Sequence, residues 1–384
     1  MIPRDITDEA KLLLKQFRAL CLTGPRQSGK TTLSRILLKD KPYVNFEDPV
    51  VQQAFEEKPK DFMRRYKNGA VFDEAQRVPE LFRYLQVLLD QQSARGQFII
   101  TGSNNFLLQE NISQSLAGRA GYLSLLPLSY SELVHVNKNQ QLNEIILTGG
   151  YPEIWEEKLS PSKWINSYLQ TYVQRDVRQL RNISNLGTFN RFIRLCANYA
   201  GQIMNRDELA KQLSVDTKTI QAWLGLLENS YLLFLLQPWH KNLNKRIIKS
   251  PKLYFYDSGL LCTLLNIKST TGLTAHPSYG SIFENWCVSE ILKNRMNLGE
   301  SNPLYYFRDS AGNEVDLILE KENETLAIEV KATKKINSDH LKGLRYWKKY
   351  TNGQPGIILY QGKGISPIEK NSNILSWSEI KDIN

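Results

Sequence analysis

Eight residues early in the chain, Gly24-Pro25-Arg26-Gln27-Ser28-Gly29-Lys30-Thr31, fit the spacing GxxxxGK[ST]. They follow the apolar run Ala19 to Thr23 and open a helix expected over Thr32 to Lys39. A strand, a glycine loop and a helix in that order leave few folds open. The strand feeding such a loop belongs to a parallel sheet with helices on both faces. Further short β-like runs at Tyr43 to Phe46, Ala70 to Phe72 and Phe98 to Thr101 alternate with amphipathic helices, so the first part of the chain reads as α/β. In one of these helices, Glu80 to Gln91, Leu81, Leu85, Leu88 and Leu89 form one stripe, as sheet packing requires.

The loop suits a β-phosphate, because glycines let successive backbone N–H groups turn inward and the helix start adds partial positive charge. Lys30 would reach the β- and γ-phosphates, and the Thr31 hydroxyl would ligate Mg²⁺. Thr32 and the rest of the loop complete the expected nucleotide contacts. About 40 residues later, Ala70-Val-Phe-Asp73-Glu74 is an apolar strand ending in two acids. Asp73 is placed to hold the magnesium through water, and Glu74 to polarise the attacking water. A third strand runs into Gly102-Ser103-Asn104, where Ser103 or Asn104 would sense the γ-phosphate, a turn or helix cap being the competing reading. Arg119 suits an arginine finger, given in cis or to a neighbouring subunit, and equally a surface arginine. ATP and Mg²⁺ are the expected cofactors.

At ~100–200 residues per domain, 384 residues argue for two or three domains. Texture divides the chain into 1–135, 136–275 and 276–384. Lys plus Arg exceed Asp plus Glu by 49 to 39, and the net +10 favours an acidic polymer as partner. The four cysteines lie far apart with no CxxC pair, which supports neither a disulfide framework nor a zinc cluster. No window holds the roughly 18 apolar residues that span a bilayer, and the first residues lack a signal pattern. A cytoplasmic protein away from membranes is expected; the oligomeric state is open.

The middle zone reads as mostly helical. Arg206 to Glu228 forms helix, turn and helix, with Thr217 as expected cap of the second helix and Ile220, Leu224 and Leu227 as its apolar face. Tyr231 to Leu236 suits a wing strand. Between Glu156 and Gly259 stand 15 Lys or Arg against 8 Asp or Glu. Lys218 and Gln221 would face a major groove, and Lys245 and Arg246 would belong to a basic wing, making DNA the expected partner. A protein-interaction module or a lid on the nucleotide domain is the competing reading.

In the last zone, Glu314-Val-Asp316-Leu-Ile-Leu and Leu326-Ala-Ile-Glu329-Val-Lys331 alternate as strands. Period two puts Glu329 and Lys331 on one face, where Asp316 of the neighbouring strand can meet them. Two carboxylates can bind Mg²⁺ and activate a water, with Lys331 orienting it; Glu284 would add a further carboxylate. A salt-bridged surface is the alternative.

Taken together, the chain resembles the AAA+ ATPases in which an N-terminal ATP-binding domain precedes a C-terminal domain of unknown function numbered 4143. The resemblance is carried by Gly24 to Leu33, Phe72 to Gln76, Ile100 to Asn104, Ser115 to Arg119, Leu126 to Leu133, Gly149 to Pro152, Tyr172 to Asp176, Phe283-Glu284 and Arg308 to Lys331. It implies a P-loop NTPase sheet, then a helical winged-helix region. The Asp316…Glu329-Val-Lys331 pattern is similar to the core of the restriction-endonuclease-like fold, although Val315 stands where that motif carries proline. The implied activity is ATP binding and hydrolysis acting on DNA with a nuclease-like C-terminus, or a regulatory ATP switch that binds a protein or DNA partner without nuclease chemistry.

Overall fold

The computed structural model describes residues 1–103, 115–136, 140–172, 185–239, 250–300, 304–321, 324–362 and 373–383. Five parallel strands form the first sheet: β1 (Ala19–Thr23), β2 (Tyr43–Asn45), β3 (Ala70–Asp73), β4 (Phe98–Gly102) and β5 (Ala120–Ser124), in the order β2-β3-β4-β1-β5. Every residue of β1, β3 and β4 is buried, as strands covered on both faces must be. Alternation sorts their side chains. Cys21, Phe72 and Ile100 join Phe46, Phe55 and Phe62 on one side, while Leu20, Leu22, Val71 and Ile99 join Ile6, Leu14 and Leu33 on the other. This sheet is the parallel α/β layer expected from the glycine loop. It brings the carboxyl ends of β1, β3 and β4 side by side, where open α/β sheets place their ligands.

A second sheet of eight strands occupies the rest of the molecule. It contains β6 (Gln202–Ile203), β7 (Leu233–Pro238), β8 (Lys252–Phe255), β9 (Leu304–Arg308), β10 (Glu314–Lys321), β11 (Glu324–Lys331), β12 (Gly356–Tyr360) and β13 (Asn373–Ser376). Their order is β13-β12-β11-β10-β9-β7-β8-β6. The parallel pairing of Gln237 with Tyr305 and Pro238 with Tyr306 fuses the strands after the helix pair with those of the C-terminal zone. The helix Tyr279–Asn297 is buried nearly all round, with Trp286 against Tyr130 and Trp377. Residues from all three zones therefore share one core.

The two helices Arg206–Leu213 and Thr217–Asn229 lie where the sequence puts them. The cap differs. Asp216, not Thr217, accepts the Thr219 N–H at 2.7 Å, because Asp216 has the extended backbone a cap needs and Thr217 is already helical. Trp223 is core, its ring centroid 5.3 Å from those of Phe189 and Phe192. Among the described residues no helix is long and apolar enough to cross a membrane.

Candidate functional site

The glycine loop leaves β1 at Gly24, whose φ of +139° suits glycine alone and whose absent Cβ would stand 2.1 Å from the Leu125 carbonyl oxygen. Gly29, at φ +96°, precedes the helix Lys30–Leu37 and supplies no side-chain cap, so its first-turn N–H groups remain for a ligand. The Ser28 hydroxyl donates to the Pro25 carbonyl at 2.9 Å. From outside, Arg4 Nη1 donates to the Ser28 carbonyl at 2.6 Å while its Nε pairs with buried Glu132 at 2.8 Å. Lys30 is 5% exposed, and its Nζ donates to the carbonyls of Pro25 (2.7 Å) and Gly24 (3.0 Å). Burial pulls its ammonium down to about 8, against the opposing pull of Glu74 and Asp73.

Asp73, at the end of β3, gathers three hydroxyls. Thr31 Oγ1 donates to Oδ2 at 2.7 Å, Tyr43 OH to the same oxygen at 2.5 Å, and Thr101 Oγ1 to Oδ1. Glu74 follows at φ +53°, a turn that swings its carboxylate off the strand axis. Its Oε2 accepts from Gln76 Nε2 at 2.5 Å and from Ser103 Oγ at 3.1 Å. Ser103 thus faces the second acid; Asn104 lies outside the described residues. Tyr43 and Thr101 escaped the sequence reading, although both lie at strand ends on either side of β3.

A cavity of about 550 Å³ opens over these groups, lined by Arg26, Gln27, Gly29, Lys30, Thr31, Thr32, Glu47 and Glu74. Its far wall is the helix Pro161–Tyr172, through Trp164, Ser167, Tyr168 and Thr171. Trp164 and Tyr168 stack at 5.5 Å and 9°, and Trp164 Nε1 donates to Glu153 at 3.1 Å. A second cavity of about 390 Å³ adjoins at Gly29 and Thr32, with Ile2, Pro3, Leu33, Ile36 and Pro152 in its lining. An uncapped helix start, a buried lysine and a hydroxyl–carboxylate pair around one cavity fit a nucleoside triphosphate with Mg²⁺, which takes only one or two protein ligands beside phosphate oxygens and water.

Arg119 is not brought to this cavity. It precedes β5 at the amino edge of the sheet, its carbonyl accepting from Arg18 and Ala19, while the loop sits at the carboxyl edge. Its guanidinium clamps Asp90 at 2.6 and 3.0 Å.

The C-terminal residues meet as a mixed acid–lysine cluster. The pairing of β10 with β9 shifts register between Val315 and Ile318, and within that stretch Asp316 Oδ2 accepts the Val330 N–H at 2.8 Å. Lys331 Nζ pairs with Glu329 and stands 3.6 Å from Asp316. Glu284 accepts from Tyr254 OH at 2.7 Å and from Lys252 at 3.2 Å; Lys252 also reaches Glu314 at 2.5 Å. Burial raises Glu284 to about 7, with Lys252 pulling it down and Asp316 pushing it up. Burial and Asp316 likewise raise Glu329 against the pull of Lys331. Among the described residues no three His, Cys, Asp or Glu side chains are spaced to hold a metal. Lys252, contributed by β8, was not foreseen because it lies 77 residues before Glu329.

Lys218 and Gln221 are exposed on the second helix of the pair. Lys245 and Arg246 lie outside the described residues. The helix pair, residues 206–229, carries three basic and four acidic side chains.

Family models match three successive stretches: an AAA domain over residues 16–134, a domain of unknown function (DUF8612) over 139–271 and another (DUF4143) over 279–380. Uncharacterized protein Rv2008c of Mycobacterium tuberculosis is 33% identical over 334 residues, 86% of this chain and 74% of the relative. The chain belongs to this family of AAA-domain proteins with a C-terminal DUF4143 domain. Uncharacterized protein MJ1544 of Methanocaldococcus jannaschii is 29% identical over 360 residues, 85% of this chain and 76% of the relative. Among solved structures, the Walker-type ATPase PABY2304 of Pyrococcus abyssi aligns with a TM-score of 0.48 at 15% identity, covering 68% of this chain and 95% of its own. An AAA domain of this build supports ATP binding and hydrolysis.

Proposed function

We propose that this protein binds ATP with Mg²⁺ and hydrolyses it in the cavity between the glycine loop and the helix Pro161–Tyr172. The observation that carries the reading is the convergence of Lys30, Thr31, Asp73 and Glu74 at the carboxyl edge of one parallel sheet. The loop N–H groups and Lys30 hold the β- and γ-phosphates, and Asp73 with Thr31 forms the cation site. When bound, Mg²⁺ supplies charge neutralisation on the phosphate oxygens. Glu74 directs a water at the γ-phosphate, with Ser103 and Gln76 fixing the carboxylate. The apolar cavity beside Thr32 takes the base. Equilibrium dialysis with labelled ATP tests the binding step: retention in the presence of Mg²⁺, lost in Lys30→Ala, supports it, whereas equal retention by both proteins refutes it.

A second reading adds phosphodiester cleavage at Asp316, Glu329 and Lys331. What favours it is the register break at Asp316, which lies 3.6 Å from Lys331 of β11, since such breaks recur beside active sites. In the structure Lys331 answers both carboxylates, so a metal would have to displace that ammonium. Metal-dependent nicking of plasmid that disappears in Asp316→Ala and in Lys331→Ala supports the cleavage; an inactive parent protein leaves the chain as an ATP switch alone.

A further inference from the structure

Residues 331–350 carry seven basic side chains against one acid, a net +6 in 20 residues, compared with +7 spread over 156–259. Six of the seven, Lys334, Lys335, Lys342, Arg345, Lys348 and Lys349, are exposed. At 100° per residue the last four fall within about a third of the circumference of the helix Lys342–Tyr350. The opposite face, Leu344 and Trp347, is buried against the sheet. Helical periodicity therefore lifts the charges into one convex stripe. Asp339, paired with Lys342 at 3.1 Å, is the one acid in the sequence of residues 331–350.

The stripe is fixed in place. A Cβ on Gly343 would stand 1.9 Å from Glu329 Oε1, so the helix begins directly on the acid–lysine cluster. Lys334 and Lys335 continue the same chain from Lys331.

We infer that this stripe is a docking surface for the phosphate backbone of duplex DNA. Dense like charge with little acidic compensation is the footprint of a polyphosphate partner. A lipid surface is disfavoured by the same helix, because membrane-surface helices insert an apolar face and here that face is buried in the core. Unpaired strands need open aromatic platforms. The aromatic side chains of this helix are engaged instead: Tyr346 OH donates to Asp309 at 2.6 Å, and Tyr350 packs on Phe307 at 5.0 Å. The surface reads charge and shape, so its binding is insensitive to base sequence. This inference is independent of ATP hydrolysis and of cleavage.

The test is fluorescence anisotropy of a labelled 30-base-pair duplex of arbitrary sequence with the full chain, from 50 to 200 mM salt. Lys342→Glu, Arg345→Glu, Lys348→Glu and Lys349→Glu are combined in one variant. The wild-type protein is expected to bind with a steep salt dependence. Losing four phosphate contacts weakens binding at least tenfold and flattens the slope of log K against log salt by about 4. Retained binding of labelled ATP by the variant shows that it is folded. A milder variant, Lys348→Gln with Lys349→Gln, is expected to flatten the slope by about 2. Undiminished duplex binding by the fourfold variant overturns the inference. So does preference for single strands, or binding to phosphatidylserine vesicles in place of duplex.

Discussion

The hydroxyl of Tyr231 lies 2.7 Å from Oγ1 of Thr23 and 3.1 Å from Oγ of Ser124. Thr23 is the last residue before the glycine loop, and Tyr231 sits at φ +57° in the turn between the helix Thr217–Asn229 and β7. The cluster is buried, and burial, followed by the neighbouring Tyr122, raises the Tyr231 hydroxyl well above its usual range, so it stays a neutral hydrogen-bonding group. The contact ties the residue before the glycine loop to the end of the helix pair.

Replacing Tyr231→Phe removes that tie while Thr23 and Ser124 stay 3.0 Å apart and bonded to each other. The expected stability loss is about 1 kcal/mol. ATP with Mg²⁺ is expected to change amide exchange in Thr217–Asn229 of the wild type and to leave it unchanged in the variant. Hydrogen-exchange mass spectrometry checks this, and equal protection changes in both proteins would show that the contact transmits nothing.

The depressed Lys30 ammonium sets a pH dependence. A triphosphate favours the charged lysine, and in the free site half the lysine is neutral near pH 8. ATP affinity is expected to be level below that pH and to weaken by up to about tenfold per unit above it. Because the folded value lies below the ordinary lysine value of 10.5, the charged form costs stability below pH 8, and that cost is relieved as pH rises from 8 toward 10.5. Calorimetric titration with ATP from pH 7 to 9.5 reads the binding effect directly.

Much of the candidate nucleotide site was legible because its parts are local. Lys30 and Thr31 follow the glycine spacing, and Asp73 and Glu74 end an apolar run. Trp164 and Tyr168 were not legible: they lie some 130 residues later on a helix whose aromatic spacing also describes a core face. For Arg119, open between an arginine finger and a surface arginine, no local pattern reveals that its partner within the chain is Asp90 across the amino edge of the sheet. In the C-terminal zone, period two brought Glu329 and Lys331 to one face, but the register break at Asp316 and the arrival of Lys252 from β8 depend on tertiary pairing. The fused eight-stranded sheet hangs on two residue pairs between β7 and β9 that neither strand announces.

Gly24→Ala is expected to abolish ATP binding without touching a charged group. The added Cβ would meet the Leu125 carbonyl, and alanine at φ +139° is strained by about 1–3 kcal/mol. Thermal unfolding together with labelled-ATP retention checks both consequences; unaltered binding would mean that the loop backbone is not pinned against Leu125.

Trp164→Ala opens the wall opposite the phosphate loop. Loss of the Trp164–Tyr168 stack, about 1 kcal/mol, is expected to weaken ATP roughly fivefold, while Trp164→Phe keeps most of the affinity. Competition against a fluorescent ATP analogue measures the difference. Equal weakening by both substitutions would place the effect in the indole N–H bond to Glu153 instead.

Phosphate release from ATP by purified wild type and Glu74→Gln, at matched nucleotide occupancy with Mg²⁺ present, bears most directly on the role of the paired acids. Glu74→Gln is expected to retain ATP yet release phosphate about 10²–10⁴-fold more slowly, the span typical of a lost general base. Turnover undiminished in Glu74→Gln, or absent from the wild type while ATP is held, would contradict hydrolysis directed by Glu74.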